Sequence, residues 1–405
     1  MLPRFKPDFD IEEIVSLINN KDDAIETFEE KFTNIVGSNY AVTFPSGRSA
    51  LFALLKSLNL RNGEIIIPAF SCIVVPSAII ASDCTPCFVD ISLKDYNMIT
   101  QDTYSVVSNK TIAVVPTHMY GYPADVEYLR SIVGENIYIF EDAAQSILTK
   151  NVGRFGDATF YSFNYEKQIF TFGGGMVTTN NEEIYKKLLS YKKEVFSKTM
   201  FKVELTRTIS LLFTKMIFSD LLFYLFSKIW DIRGSLIWKG RHWDLKDKNL
   251  PVEYIYLSND FVDTFSKIQA AVGLAQLNKI KRNIEKRKKI AQIYNDELND
   301  IKSIVLPPII QDASYAHYTI RIKNRNKFEH FMKKQGIQIN KVFDYSIPDI
   351  PRFKNYIKNH NTYDNSNIAS KNNVNIPIYP QLLDEKYKIY RVIKSIKKYC
   401  EQSDA

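Results

Sequence analysis

Phe155–Asn180, FGDATFYSFNYEKQIFTFGGGMVTTN, is the stretch from which the rest of the chain is read. Ala158, Thr159, Phe160 and Phe163 before Lys167, and Met176, Val177, Thr178 and Thr179 after it, are the apolar and β-branched residues expected of two strands. Gly173, Gly174 and Gly175 let the backbone between those strands turn tightly or approach a ligand closely. One lysine is thereby set in a cleft-forming connection. A desolvated lysine has a lowered pKa and acts as a nucleophile or general base, for instance through a Schiff base with a carbonyl cofactor. A surface lysine in a β-hairpin is the plainer alternative, and this segment alone leaves both open.

Upstream, YAVTFPSGRSALFALLKSLNL (Tyr40–Leu60) predicts a strand over Tyr40–Phe44 that breaks at Pro45, Ser46 and Gly47 into a helix carrying Ala50, Leu51, Ala53, Leu54 and Leu58. Free N–H groups and the positive end of the helix dipole at such a turn suit a phosphate. An ordinary serine cap has the same appearance. The alternation continues through Glu64–Pro68, an apolar helix over Val74–Ala81, strands at Pro86–Asp90 and Thr111–Pro116, a helix after Pro123, and IYIFED at Ile137–Asp142. Short apolar strands separated by helices predict a mostly parallel sheet covered on both faces, an α/β/α sandwich, with ligands at the carboxyl ends of the strands. Asp142 ends one strand and Lys167 follows another, so one crevice can hold both. Asp142 either caps the following turn or pairs with the pyridine nitrogen of pyridoxal phosphate, keeping that nitrogen protonated and the ring a strong electron sink. Phosphate turn, aspartate and lysine are the three protein parts that such a cofactor needs.

The chain has 405 residues, 45% hydrophobic and 24% charged, which is globular and long enough for a large domain with a smaller appendage. Its net charge of +8 is dispersed among acidic residues, so no nucleic-acid stripe is expected. MLPRFKPDFDIEEIV places acidic residues where a secretory signal needs an apolar core, and a cytoplasmic location is expected. Four cysteines are too few for a disulfide framework. The CxxC of Cys84 and Cys87 has neither a second pair nor nearby histidines, so a structural role is expected and no metal.

SGRSAL (Ser46–Leu51), PAFSC (Pro68–Cys72), FVDI (Phe88–Ile91), PTHMYGYPAD (Pro116–Asp125), EDAAQ (Glu141–Gln145) and the lysine stretch, followed by IQAAVGLAQL (Ile268–Leu277), HYTIRI from His317 and NIPIYPQL, resemble the pyridoxal-phosphate sugar aminotransferases of the DegT/StrS group, fold type I. The resemblance spans nearly the whole chain. It implies a large α/β/α domain over 1–250, with an apolar helical insertion at about 205–240, and a smaller C-terminal α+β domain over 251–405. It implies pyridoxal 5'-phosphate as cofactor, an amino-acid donor such as glutamate, a keto sugar acceptor, nucleotide-linked, for polysaccharide or amino-sugar biosynthesis, and a homodimer. Residue by residue, Lys167 matches the lysine that holds the cofactor and moves a proton, and Asp142 the partner of the pyridine nitrogen. Gln145 matches the residue beside the ring's phenolic oxygen. Ser162 matches a hydroxyl on the phosphate, and Ser46, Gly47 and Arg48 match the phosphate turn.

Three positions depart from the pattern. Arg48 stands where the family usually has threonine, and either bonds the phosphate or points away. Cys72 stands where an aromatic usually stacks on the cofactor ring, with Phe70 two residues earlier, so which of them covers the ring is open. Asn259 is out of register with the asparagine that a partner subunit usually sends to the phosphate. His118 and His317 are expected to be structural, and His242, His330 and His360 show no metal-ligand spacing. Related dehydratases carry histidine where Lys167 stands, so the lysine argues against dehydration. A relative without catalysis, regulatory or membrane-bound, is the reading from another class.

The chemistry does not require TISLLFTKMIFSDLLFYLFSKIW, Thr208–Trp230. Lys215, Asp220 and Lys228 disfavour a membrane span at roughly 2.5–3.5 kcal/mol for each charge near the bilayer centre. The expectation is a helical hairpin with Ser219 capping its second helix. Its apolar surface either packs on the protein body or a dimer interface, or meets a membrane surface through Lys202, Arg207, Arg233, Lys239 and Arg241, which would set the enzyme at the inner face of the membrane.

Overall fold

The computed structural model describes residues 1–18, 22–196, 223, 264–357 and 362–404. The hairpin expected at 208–230, apart from Phe223, and Asn259 lie outside the described residues.

Helices α1 (Ile11–Ile18) and α2 (Ala24–Val36) precede β1 (Tyr40–Phe44) and α3 (Gly47–Ser57). The chain then winds through β2 (Glu64–Pro68), α4 (Val74–Ala81), β3 (Thr85–Val89), α5 (Thr100–Val106), β4 (Thr111–Val114), α6 (Val126–Val133) and β5 (Tyr138–Asp142). Strands β6 (Ala158–Ser162) and β7 (Gly175–Thr179) flank the lysine connection, and α7 (Glu182–Val195) follows. The seven strands form one sheet in the order β1-β7-β6-β5-β4-β2-β3. The four pairs from β6 to β3 are parallel, and only β7 runs against its neighbours.

Why this is a sandwich is visible in β2, whose side chains alternate between faces as a pleated strand requires. Ile65 and Ile67 join Leu51, Leu54, Ile79 and Leu188, from α3, α4 and α7. Ile66 joins Val106, Val126 and Leu129, from α5 and α6, on the other side. A strand buried on both faces has no polar residue to alternate with, and Glu64–Pro68 reads EIIIP for that reason.

Helix α8 (Lys267–Leu298) starts with a capping box between Ser266 and Gln269. It is followed by β8 (Ile304–Val305), β9 (Tyr318–Ile322), α9 (Arg325–Lys334), α10 (Asp364–Asn372), β10 (Asn373–Ile376) and α11 (Lys386–Asp404). Strands β10-β9-β8 make a small antiparallel sheet. The first half of α8 packs Ala270, Leu277, Ile280 and Ile284 with Phe28, Phe163 and Met176. Its second half packs Ile290, Tyr294 and Leu298 with Tyr318, Phe328 and Ile393. One helix therefore runs through both cores.

The N-terminal segment is stitched across this arrangement. Leu2 forms a parallel bridge with Ile337, its N–H donating to Gly336 O at 2.8 Å and its carbonyl accepting from Gln338 N at 2.9 Å. Farther on, buried Lys279 of α8 meets Glu13 at 2.7 Å and Asp10 at 2.9 Å. These contacts leave residues 3–9 strapped beside the lysine connection.

Candidate active site

The antiparallel insertion of β7 leaves six carboxyl ends, those of β1 to β6, at one edge of the sheet. β1 is antiparallel to β7 and β7 to β6, so β1 points the same way as β2, β4, β5 and β6. Ser46 follows β1, Cys72 follows β2, Thr117 follows β4, Asp142 ends β5 and Ser162 ends β6. Such an edge is where ligands bind in sheets of this kind.

Asp142 is 4% exposed. Its Oδ1 accepts from Ala144 N at 3.0 Å and its Oδ2 from the Thr117 hydroxyl at 3.4 Å. Its backbone is fixed in the same step, since Asp142 N donates to Pro116 O at 2.8 Å and Asp142 O accepts from His118 N at 3.0 Å. Burial pushes its carboxyl above the usual range, against the pull of the Ala144 N–H and the Lys167 amine. Behind it, His118 is an internal brace, as expected. His118 Nδ1 accepts from Ala124 N at 3.0 Å, which leaves Nε2 to donate to Glu141 at 2.9 Å. Glu141 also accepts from Gly153 N and Gly156 N, so its buried charge is satisfied by three donors.

Lys167 lies in the connection from β6 to β7, half-buried. That loop closes on itself where Phe163 N donates to Gly174 O and Thr171 N to Phe163 O. Helix α8 holds it from outside: Gln269 donates to Thr171 O and Gly173 O, and Gln276 accepts from Phe170 N. These two glutamines are seven residues apart, on one helix face. Within the loop Gln168 bridges Ile147 N and Ser314 O. Glu166, the residue before the lysine, takes a left-handed φ of 69°, which L-residues adopt at a cost unless something holds them there.

The three glycines meet the turn after β1. Gly174 N donates to Pro45 O at 2.8 Å, and a Cβ on Gly175 would stand 2.4 Å from the Ser46 carbonyl carbon. Only glycine fits there. Ser46 caps α3 by accepting from Ser49 N at 3.0 Å, so its hydroxyl has the ordinary capping role. Gly47 faces Ser162, whose Cβ is 3.0 Å and whose Oγ is 3.4 Å from where a Cβ would be. The first turn of α3 and the Ser162 hydroxyl thus make one cradle.

Cys72 shares this pocket: the Lys167, Asp142 and Arg48 charges all act on its thiol, which burial pushes up above its usual value. Phe70, the other residue considered for the ring face, is fully buried and packs edge-on against Phe343 at 5.5 Å. Gln145 is 5% exposed, and its Oε1 accepts from Tyr120 N at 3.1 Å. All eight residues singled out from the sequence, Ser46, Gly47, Arg48, Cys72, Asp142, Gln145, Ser162 and Lys167, fall on this edge.

Several residues at the site carry no signal in the sequence reading. Arg4, 6% exposed, pairs with Glu166 and donates from Nη1 to His317 Nδ1 at 3.4 Å. Burial and the cations Arg4, Lys167 and Arg287 push His317 well below its usual pKa, so its ring is neutral. A small cavity on this side of Lys167 is lined by Phe5, Asp8, Gln276, Asn283 and Arg287. The residues from the N-terminal segment have no motif, because only the folded path brings them there. Gln269 and Gln276 were within reach of a face-by-face reading of the long helix.

Comparison with known proteins gives a consistent picture. The sequence model of the DegT/DnrJ/EryC1/StrS aminotransferase family matches residues 14–209 and 263–397. A GDP-perosamine synthase of Escherichia coli O157:H7 is 25% identical, over 91% of this chain and 88% of that one. A putative sugar aminotransferase from Streptococcus pneumoniae, solved in its PMP form, superposes with a TM-score of 0.76 at 19% identity, over 99% of this chain and all of the other. An E. coli GDP-4-keto-6-deoxy-D-mannose-3-dehydratase, solved with hydrated PLP, gives 0.74 at 20%, over 97% of this chain and 99% of the other. The two structures establish the fold.

Proposed function

Because the chain belongs to the DegT/DnrJ/EryC1/StrS aminotransferase family, we propose that it transfers an amino group, with pyridoxal phosphate as cofactor, from an amino acid, glutamate in our reading, to a nucleotide-linked keto sugar. The observation that carries the reading is the gathering of a buried carboxylate, Asp142, a lysine, Lys167, and the first turn of α3 at one sheet edge.

The donor set fits the cofactor. The Gly47 and Arg48 end of α3 with Ser162 offers N–H, hydroxyl and dipole to a phosphate, in a cradle that a Cβ at Gly47 would crowd. When bound, pyridoxal phosphate supplies an electron sink that lets an amino-bearing carbon lose its proton. Asp142, fixed by Thr117 and Ala144, would hold a proton on the ring nitrogen as a buried hydrogen-bonded carboxylate. Lys167 would hold the cofactor through its amine, and the same amine is the group that would move the proton to and from the substrate carbon as general base and acid. Gln145 would stand beside the ring's phenolic oxygen, and Cys72 rather than Phe70 would face the ring, because Phe70 is packed against Phe343. A neutral His317 borders the amine without adding charge.

The large unit of this reading runs to about residue 250 and the small one from 251, with a second copy of the chain completing the site. Among the described residues no helix is long and apolar enough to cross a membrane. Dehydration is the second reading. A fold neighbour is such an enzyme, and Lys167 is the residue that weighs against it. The test is a panel of nucleotide keto sugars offered with glutamate. Release of 2-oxoglutarate matched by an amino sugar is expected with at least one, and a deoxygenated sugar without amine in its product would favour dehydration.

A further inference from the structure

We propose that Arg4 is a positioning residue for Lys167: reaching in from the N-terminal segment, it holds the Glu166 carboxylate and thereby fixes the backbone and the charge beside the reacting amine. This rests on the assignment of Lys167 to the cofactor. Three observations carry it. Arg4 is almost wholly buried, and its guanidinium pairs with Glu166 while also donating to His317 Nδ1 at 3.4 Å. Glu166 is held in the left-handed conformation immediately before Lys167, so whatever fixes Glu166 fixes the direction in which the lysine leaves the loop. The segment bearing Arg4 is anchored on both sides of it. Arg4 N donates to Gln338 Oε1 at 3.1 Å, beside the Leu2 bridge, and Phe5 packs edge-on against Tyr165 at 5.2 Å.

The electrostatic consequence has a definite sign. Around Lys167 stand Arg4, Lys6, Asp8 and Glu166 on the near side, Asp142, Arg48 and Cys72 on the sheet side, and His317 and Arg287 toward the small sheet and α8. His317 Nδ1 accepts from the Arg4 guanidinium and so carries no proton there, which leaves the Glu166 carboxylate as the anion paired with the Arg4 cation. Removing either member of the pair leaves the other's charge uncompensated next to the amine, and the two removals act in opposite directions.

The test loads wild type, Arg4→Gln, Glu166→Gln and the exchanged pair Arg4→Glu/Glu166→Arg with pyridoxal phosphate and follows the visible band of the lysine-bound cofactor against pH. Arg4→Gln should raise the midpoint and Glu166→Gln lower it, each by about half a unit or more, with the exchanged pair returning toward wild type. In the cofactor-free protein, amide exchange over 163–174 should quicken several-fold in Arg4→Gln. Midpoints that coincide with wild type, or that move in the same direction for both single variants, would overturn the proposal. Borohydride reduction and peptide mapping of each loaded protein separate the two levels: label on Lys167 with unmoved midpoints rejects the role of Arg4 alone, whereas label elsewhere rejects the assignment of Lys167.

Discussion

Asp142 shows how much one side chain depends on its setting. Its carboxylate is buried, receives the Ala144 N–H and the Thr117 hydroxyl, and lies within electrostatic reach of Lys167. An amide oxygen can keep the Ala144 N–H bond while the amide NH2 donates to the Thr117 hydroxyl oxygen, so Asp142→Asn should fold normally while losing the charge that would keep a proton on the ring nitrogen. Turnover should fall by about 100- to 1,000-fold, the size expected when one preorganised electrostatic group is removed, with the protein's melting temperature nearly unchanged. A variant that kept wild-type turnover would remove Asp142 from the chemistry. The neighbouring Cys72 and Phe70 were indistinguishable in sequence because both lie in one irregular segment after a strand. In the structure Phe70 is fully buried against Phe343, whereas Cys72 is half-buried at the edge of the same core.

At the scale of elements, the loop between β6 and β7 is defined by contacts from three directions: the turn after β1, helix α8 and its own closing hydrogen bonds. Gly175 is where the loop meets the turn after β1, since any Cβ there would lie 2.4 Å from Ser46 backbone. Gly175→Ala should destabilise the fold by about 1–3 kcal/mol, the usual size for overpacking, and should weaken pyridoxal phosphate binding because the turn at Ser46 and Gly47 must move. Denaturation and cofactor titration would show both, and an unaltered affinity would mean that the phosphate is held elsewhere. Strands and helices of the large sheet were legible because each carries its own signal: a short apolar run for β2 or β5, a capped apolar helix for α3. The sandwich and the positions of Lys167 and Asp142 follow from that alternation, whereas Ser162 is marked by the family resemblance. What stayed illegible is contact between distant segments. Arg4 and Glu166 are far apart in sequence, and no periodicity links an arginine in an irregular leader to a glutamate in a loop. Helices α1, α5 and α7 have no counterpart in the sequence reading; α1 and α5 are short elements whose character comes from the surfaces they cover.

For the molecule as a whole, α8 and the N-terminal segment are the connecting parts. The helix belongs to the core around Phe28 and Phe163 at one end and to the core around Tyr318 and Phe328 at the other. It also supplies Gln269 and Gln276 to the lysine loop, so the helix that joins the two cores also holds the loop that carries Lys167. The N-terminal segment repeats the link through Leu2, Arg4 and the Lys279 ion pairs. All of these links converge on a single amine, and the account stands or falls with it. The most direct measurement is the mass of the intact protein after pyridoxal phosphate loading and borohydride reduction, followed by peptide mapping. The account predicts one cofactor per chain, attached at Lys167, and none retained by Lys167→Ala. Stoichiometric label on another lysine, or a Lys167→Ala protein that still takes up one reducible cofactor per chain, would contradict it.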